Sequence, residues 1–114
     1  MRRMGVAVPS ENKGGDCYRA AGTYIVDNAF GKNGDKSLVL VHGEVTGQGP
    51  IEGVKYGHAW VEKGGMVIDK SNDRDIKMPK ALYYALGNIK KTVRYTSEEV
   101  LDKITTTEHW GPWD

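Results

Sequence analysis

The stretch Gly57-His58-Ala59-Trp60-Val61-Glu62-Lys63-Gly64-Gly65-Met66-Val67-Ile68-Asp69 decides the fold. Alternating residues on both sides of Gly64-Gly65 spell two strands, from Tyr56 to Glu62 and from Met66 to Lys70. Two glycines between them suit a two-residue hairpin turn. That turn sets the register: Trp60 lies opposite Asp69, and His58 opposite Ser71. His58, Trp60 and Glu62 share a face, as do Val67, Asp69 and Ser71. Opposed residues point to the same side, so His58 and Asp69 are diagonal neighbours, about 7–8 Å apart at Cα and within side-chain reach. A three-residue turn would reverse the parity and separate them. A carboxylate so placed orients an imidazole, which in turn deprotonates a nucleophile. Taken singly, His58 is a strand histidine and Asp69 an acid ending a hairpin.

Upstream, Gly14-Gly15-Asp16 leads into Cys17, Ala20, Ala21, Tyr24, Ile25 and Asn28, which share one face at helical spacing. Asp16 is the expected N-cap and Gly31 the expected stop of a helix of about fourteen residues. Cys17 therefore falls in the first turn, where the helix dipole favours a thiolate. Gly14 and Gly15 let backbone N–H groups approach a carbonyl oxygen, as an oxyanion site requires. The alternative for Cys17 is a small core residue. The run from Ser37 to Val45 reads as an interior strand, Leu38 and Leu40 facing one way, Val39 and Val41 the other. His42 lies on the Leu38/Leu40 face, as a further site residue or a core histidine. Gln48, in the glycine-rich loop after that strand, offers its amide to an oxyanion or simply turns the chain.

Downstream, residues 71–77 read as a polar loop. Pro79 opens a short helix through Leu82, Tyr83 and Leu86, stopped by Gly87. Residues 91–95 form a last strand, and Thr96-Ser97-Glu98-Glu99 is a capping box before Val100, Leu101 and Ile104. Trp60 is expected to wall the site, Glu62 to be a solvated strand-end charge or the partner of a nearby lysine. Tyr83 and Tyr84 are placed half in the core. Trp110 and Trp113 dock on the domain or form an adhesive patch. The first 13 residues read as an irregular arm with at most a short edge strand at Val6 and Val8. The order is helix, three strands, helix, strand, helix: an α+β fold with a mainly antiparallel sheet and a Cys-bearing N-terminal helix packed on it.

The chain has 114 residues, 39% hydrophobic and 27% charged, which suits one domain spanning 1–114 and argues against disorder. A net charge of +1 gives no support to nucleic-acid binding. No apolar run approaches the roughly 18 residues of a membrane helix, and the basic start, Met1 to Val6, lacks the apolar segment of a signal peptide. A cytoplasmic protein is expected. One cysteine allows no internal disulfide and no Cys-rich zinc site. The three histidines lack short ligand spacing, so neither metal nor cofactor is expected. Basic residues concentrate between Lys70 and Arg94 and acidic ones after Glu98. These form two solvated surfaces or, alternatively, a basic rim that attracts an acidic partner.

Cys17 starting a helix, an interior strand at Val39-Leu40-Val41-His42-Gly43, the element His58-Ala59-Trp60-Val61-Glu62 and the strand-ending Asp69 together resemble the transglutaminase-like core of the papain-like cysteine-protein superfamily. The resemblance covers about residues 14–71. It implies Cys17 as nucleophile, His58 as base and Asp69 as orienting acid, supported by Trp60, Gly15, Asp16, Gln48 and His42. It further implies a hydrolase or acyltransferase acting on an amide or ester bond through a thioester, with a protein or peptide substrate. The superfamily also holds inactive relatives, so the alternative is a catalytically silent domain that binds a protein partner. The tight hairpin and the Lys70-Ser71-Asn72 sequence, where Pro-Thr is common, depart from the family pattern. Oligomeric state is not specified.

Overall fold

The Gly64-Gly65 turn forms as the parity argument requires. Gly64 takes φ +60°, the left-handed conformation needed at the first central position of a two-residue hairpin. Lys63 pairs with Met66 and Val61 with Ile68. The computed structural model describes residues 16–47 and 53–113. Among these, α1 (Cys17–Ala29) is followed by β1 (Val39–Thr46), β2 (Lys55–Lys63) and β3 (Met66–Asp69). A single 3₁₀ turn (Ser71–Asp73) leads to β4 (Ile76–Pro79), α2 (Lys80–Gly87), β5 (Lys90–Thr96) and α3 (Ser97–Thr107). The arm at 1–13, with Val6 and Val8, lies outside the described residues.

The strands form one antiparallel sheet in the order β4-β3-β2-β1-β5. β1 is an interior strand between β2 and β5, as its two apolar faces imply. One face carries α1 and α3 over Leu40, Ala59, Val61 and Ile68, with Ala21, Ile25 and Val100 from the helices. The other carries Val41, Trp60 and Val67, packed against Tyr83, Tyr84 and Ile89. α2 buries none of its residues fully, and Leu82 and Leu86 are exposed. Its attachment to the sheet therefore rests on its tyrosines.

Two expectations need correction. Residues 71–77 are not simply a loop, because Ile76 to Pro79 pair with β3 as an edge strand. Only Ile76 and Met78 face inward, and neither fully. Pro79 is consequently the last strand residue and the helix N-cap rather than the first helical residue. The capping box at Thr96 and Glu99 forms with both bonds in place. The aromatic tail docks: a Cβ at Gly22 would lie 2.6 Å from the Trp110 ring, so a helix residue without a side chain seats it. Trp113 stacks beside His42 and Tyr95.

Candidate functional site

β2 runs past the end of β3. Its pairing with β3 reaches from Lys63 to Val61, while His58 lies three residues further back along β2. The chain leaves β3 at Asp69 and coils into the 3₁₀ turn, which leaves the flank of β2 open beside His58. α1 packs against both β2 and that turn. Asp16 does not cap α1 with its side chain, contrary to expectation. Both carboxylate oxygens instead accept from the Asn72 N–H, at 2.9 and 3.1 Å. That bond ties the residue before Cys17 to the turn that follows Asp69.

His58 and Asp69 meet on the face bearing Trp60, with His58 Nε2 3.1 Å from Asp69 Oδ2. Both residues are buried, at 6% and 2% exposure. Asp69 Oδ1 accepts from the Ser71 N–H at 2.9 Å and the Ser71 hydroxyl at 2.7 Å. Tyr83 donates its phenol to Oδ2 at 2.7 Å. Burial opposes charge on Asp69, but bonds from His58, Tyr83 and Ser71 outweigh it and hold the carboxyl well below its usual range. Burial likewise opposes charge on His58. Hydrogen bonding to Asp69 and then to Cys17, with attraction to both, pushes its pKa up to about 9. The imidazole thus has one hydrogen-bond partner, the Asp69 carboxylate of β3, and the nearby Cys17 thiol of α1 further favours its charged form. Nε2 is committed to Asp69, and Nδ1 makes no hydrogen bond of ordinary geometry. Nδ1 is therefore the nitrogen left for the thiol. Cys17 itself is 1% exposed.

Trp60 stands beside this pair, its ring centroid 6.0 Å from that of His58. Its indole N–H donates to Glu62 Oε2 at 2.9 Å. Glu62 is not a solvated charge: it is 2% exposed and also accepts from Tyr84 at 2.6 Å and from Arg94. Burial would raise its carboxyl, but bonds from Tyr84, Trp60 and Arg94 hold it below the usual value. The expected lysine is present too, with Lys80 Nζ 3.5 Å away. His42 is not brought to the pair. It points to the opposite face of the sheet, among Tyr18, Tyr95 and Trp113. Gly14, Gly15 and Gln48 lie outside the described residues.

A cleft of about 230 Å³ on the α2 face counts His58 and Asp69 among its lining residues. Tyr56, Ile76, Met78 and Leu86 make its walls largely apolar, and Arg74 supplies a cation at its rim. Sequence reasoning missed Tyr83 and Arg74 as site residues. Neither carries a local signal, because the turn and β4 that bring them round were not foreseen.

The fold and the site define a small α+β domain in which a buried cysteine opens a helix packed on a five-stranded antiparallel sheet. Among the described residues, no group of three or more His, Cys, Asp or Glu could hold a metal ion. Nor is any described helix long and apolar enough to cross a membrane. Comparison with family models, with curated proteins and with solved structures found no match to this chain.

Proposed function

We propose that the protein is a cysteine-dependent acyl-transfer enzyme of papain-like, transglutaminase-like type, acting on an amide or ester bond of a protein or peptide. The observation that carries this is the buried His58–Asp69 pair, 3.1 Å apart, on a strand against which the helix opened by Cys17 packs. In the reaction, Cys17 Sγ attacks the carbonyl carbon as thiolate while His58 holds the proton. The C–N or C–O bond breaks, and His58 delivers its proton to the departing nitrogen or oxygen. A thioester remains on Cys17. Water, or an incoming amine, then loses a proton to His58 and attacks the thioester, and the thiolate–imidazolium pair is restored. Asp69 keeps the ring oriented and stabilises the imidazolium. The first N–H groups of α1 have no partner within the helix and are suited to an oxyanion. The apolar cleft beside His58 offers a seat for a substrate side chain.

The burial of Cys17 favours a second reading, in which the domain binds a partner and performs no chemistry. Alkylation decides between them. Cys17 is the single cysteine, so iodoacetamide uptake by the folded protein at neutral pH reports on it alone. A nucleophile reacts in the native state, and more slowly once His58→Ala removes its partner. Reaction only upon unfolding would exclude the nucleophile and favour the binding domain. Cys17→Ser, close to isosteric, should keep the fold and lose nearly all turnover.

A further inference from the structure

Two donors share one oxygen of Asp69. His58 Nε2 lies 3.1 Å from Oδ2, and the Tyr83 phenol lies 2.7 Å from the same atom. Oδ1 is already occupied by the N–H and hydroxyl of Ser71. An ionised carboxylate offers about four lone-pair sites, and each has a donor here. We propose that Tyr83 is a positioning residue for His58: its phenol fixes the Asp69 carboxylate and takes up part of the charge that the imidazole would otherwise receive. This rests on Cys17, His58 and Asp69 working as one unit.

The competition follows from the geometry. A phenol O–H meeting a carboxylate at this distance makes a short, charge-assisted bond, closer than the imidazole contact on the same oxygen. Charge drawn toward the phenol no longer stabilises the imidazolium. Tyr83 remains a donor throughout, since burial and the neighbouring Asp69 charge push its phenol far above the usual range. The groups facing the imidazole are Cys17 from α1, Asp69 from β3 and the Tyr56 ring from β2 itself. Tyr83 acts from α2 through Asp69, with Arg74 beside it partly opposing the Asp69 charge. An imidazole held too strongly by its carboxylate would keep the proton that the leaving group needs. Tyr83 therefore draws His58 back toward a pKa at which it can both take and return a proton. Tyr84, the next residue, makes the same kind of bond to Glu62 and has no such partner behind it.

The test is the titration of the His58 ring by NMR in the wild type and in Tyr83→Phe, Tyr84→Phe and Cys17→Ser. Tyr83→Phe should raise the His58 pKa by about half a unit or more, as expected when a carboxylate loses a competing donor. Tyr84→Phe should leave it in place. An unchanged or lowered value in natively folded Tyr83→Phe overturns the proposal, since a merely structural phenol would change stability and not titration. Should Tyr83→Phe fail to fold, 3-fluorotyrosine at position 83 keeps the ring and donates more strongly. It should lower the His58 pKa, and no change there overturns the proposal equally. Cys17→Ser tests the underlying unit separately. A fall in the His58 pKa marks the thiolate as its second partner. No fall removes that unit and, with it, the positioning role assigned to Tyr83, while the Tyr83→Phe shift still reports the charge competition by itself.

Discussion

Asp69 and Glu62 are two buried carboxylates on the same face of one sheet, and each accepts a phenol from consecutive residues of α2. They differ in what lies on the far side. Asp69 faces His58, whose charge changes with pH, whereas Glu62 faces Arg94, whose charge does not. The same packing solution therefore serves two purposes. Around Glu62 it locks Trp60 and α2 to the strands. Around Asp69 it holds a group that can gain and lose a proton. Burial alone does not distinguish the two carboxylates; the titratable partner beside Asp69 does.

The largest expected effect breaks the Asp69 side. Asp69→Asn keeps shape but removes charge, and turnover should fall by up to about 10⁴-fold, the loss seen when a serine-protease triad loses its acid. Substrate binding should barely change, which separate measurement of KM and kcat would reveal. Next, Glu62→Gln should leave turnover within about threefold while lowering stability by about 1–3 kcal/mol, as a charged hydrogen-bond acceptor is lost beside Trp60, Tyr84 and Arg94. Urea unfolding measures the second quantity.

A smaller effect sharpens the contrast through pH. His58 has a pKa raised from 6.5 to about 9, so its contribution to stability is complete below 6.5 and is lost as pH rises to about 9. Asp69 is depressed, so its contribution holds above the ordinary value of 3.8 and is lost as pH falls below it. Urea midpoints should therefore decline on the alkaline side in the wild type and in Glu62→Gln, and that decline should flatten in Asp69→Asn. An equal alkaline decline in all three would place the titrating group elsewhere. Smallest of all, Lys80→Ala should change stability by no more than about 0.5 kcal/mol, because its ammonium is partly solvated and Arg94 already meets Glu62.

How far the site was legible follows the range of each interaction. His58 and Asp69 were placed together because a two-glycine turn sets strand parity within thirteen consecutive residues. The helix start at Cys17 was legible from its glycines and apolar spacing. Asp16 was assigned to a local cap because the Asn72 N–H, brought round by the fold, has no local trace. Glu62 looked solvated for the same reason: Tyr84 and Arg94 arrive on later elements. β4 escaped notice because four residues ending in proline make a weak alternation, and an edge strand tolerates that proline. The sequence places Tyr83 half in the core, where it lies, but its hydroxyl meets Asp69 only through the turn and strand that carry no local signal.

The seat of Trp110 against Gly22 also bears on the order of assembly. A chain leaving the ribosome presents α1 early and the segment around Trp110 much later. Until then the Gly22 face of the helix that carries Cys17 lacks the Trp110 ring. That face of the helix is thus completed well after the helix itself is made. Ribosome-stalled chains that stop before Trp110 should expose Cys17 to alkylation more readily than chains released with that residue in place. Part of the cover on the helix that opens with Cys17 thus comes from residues made long after it.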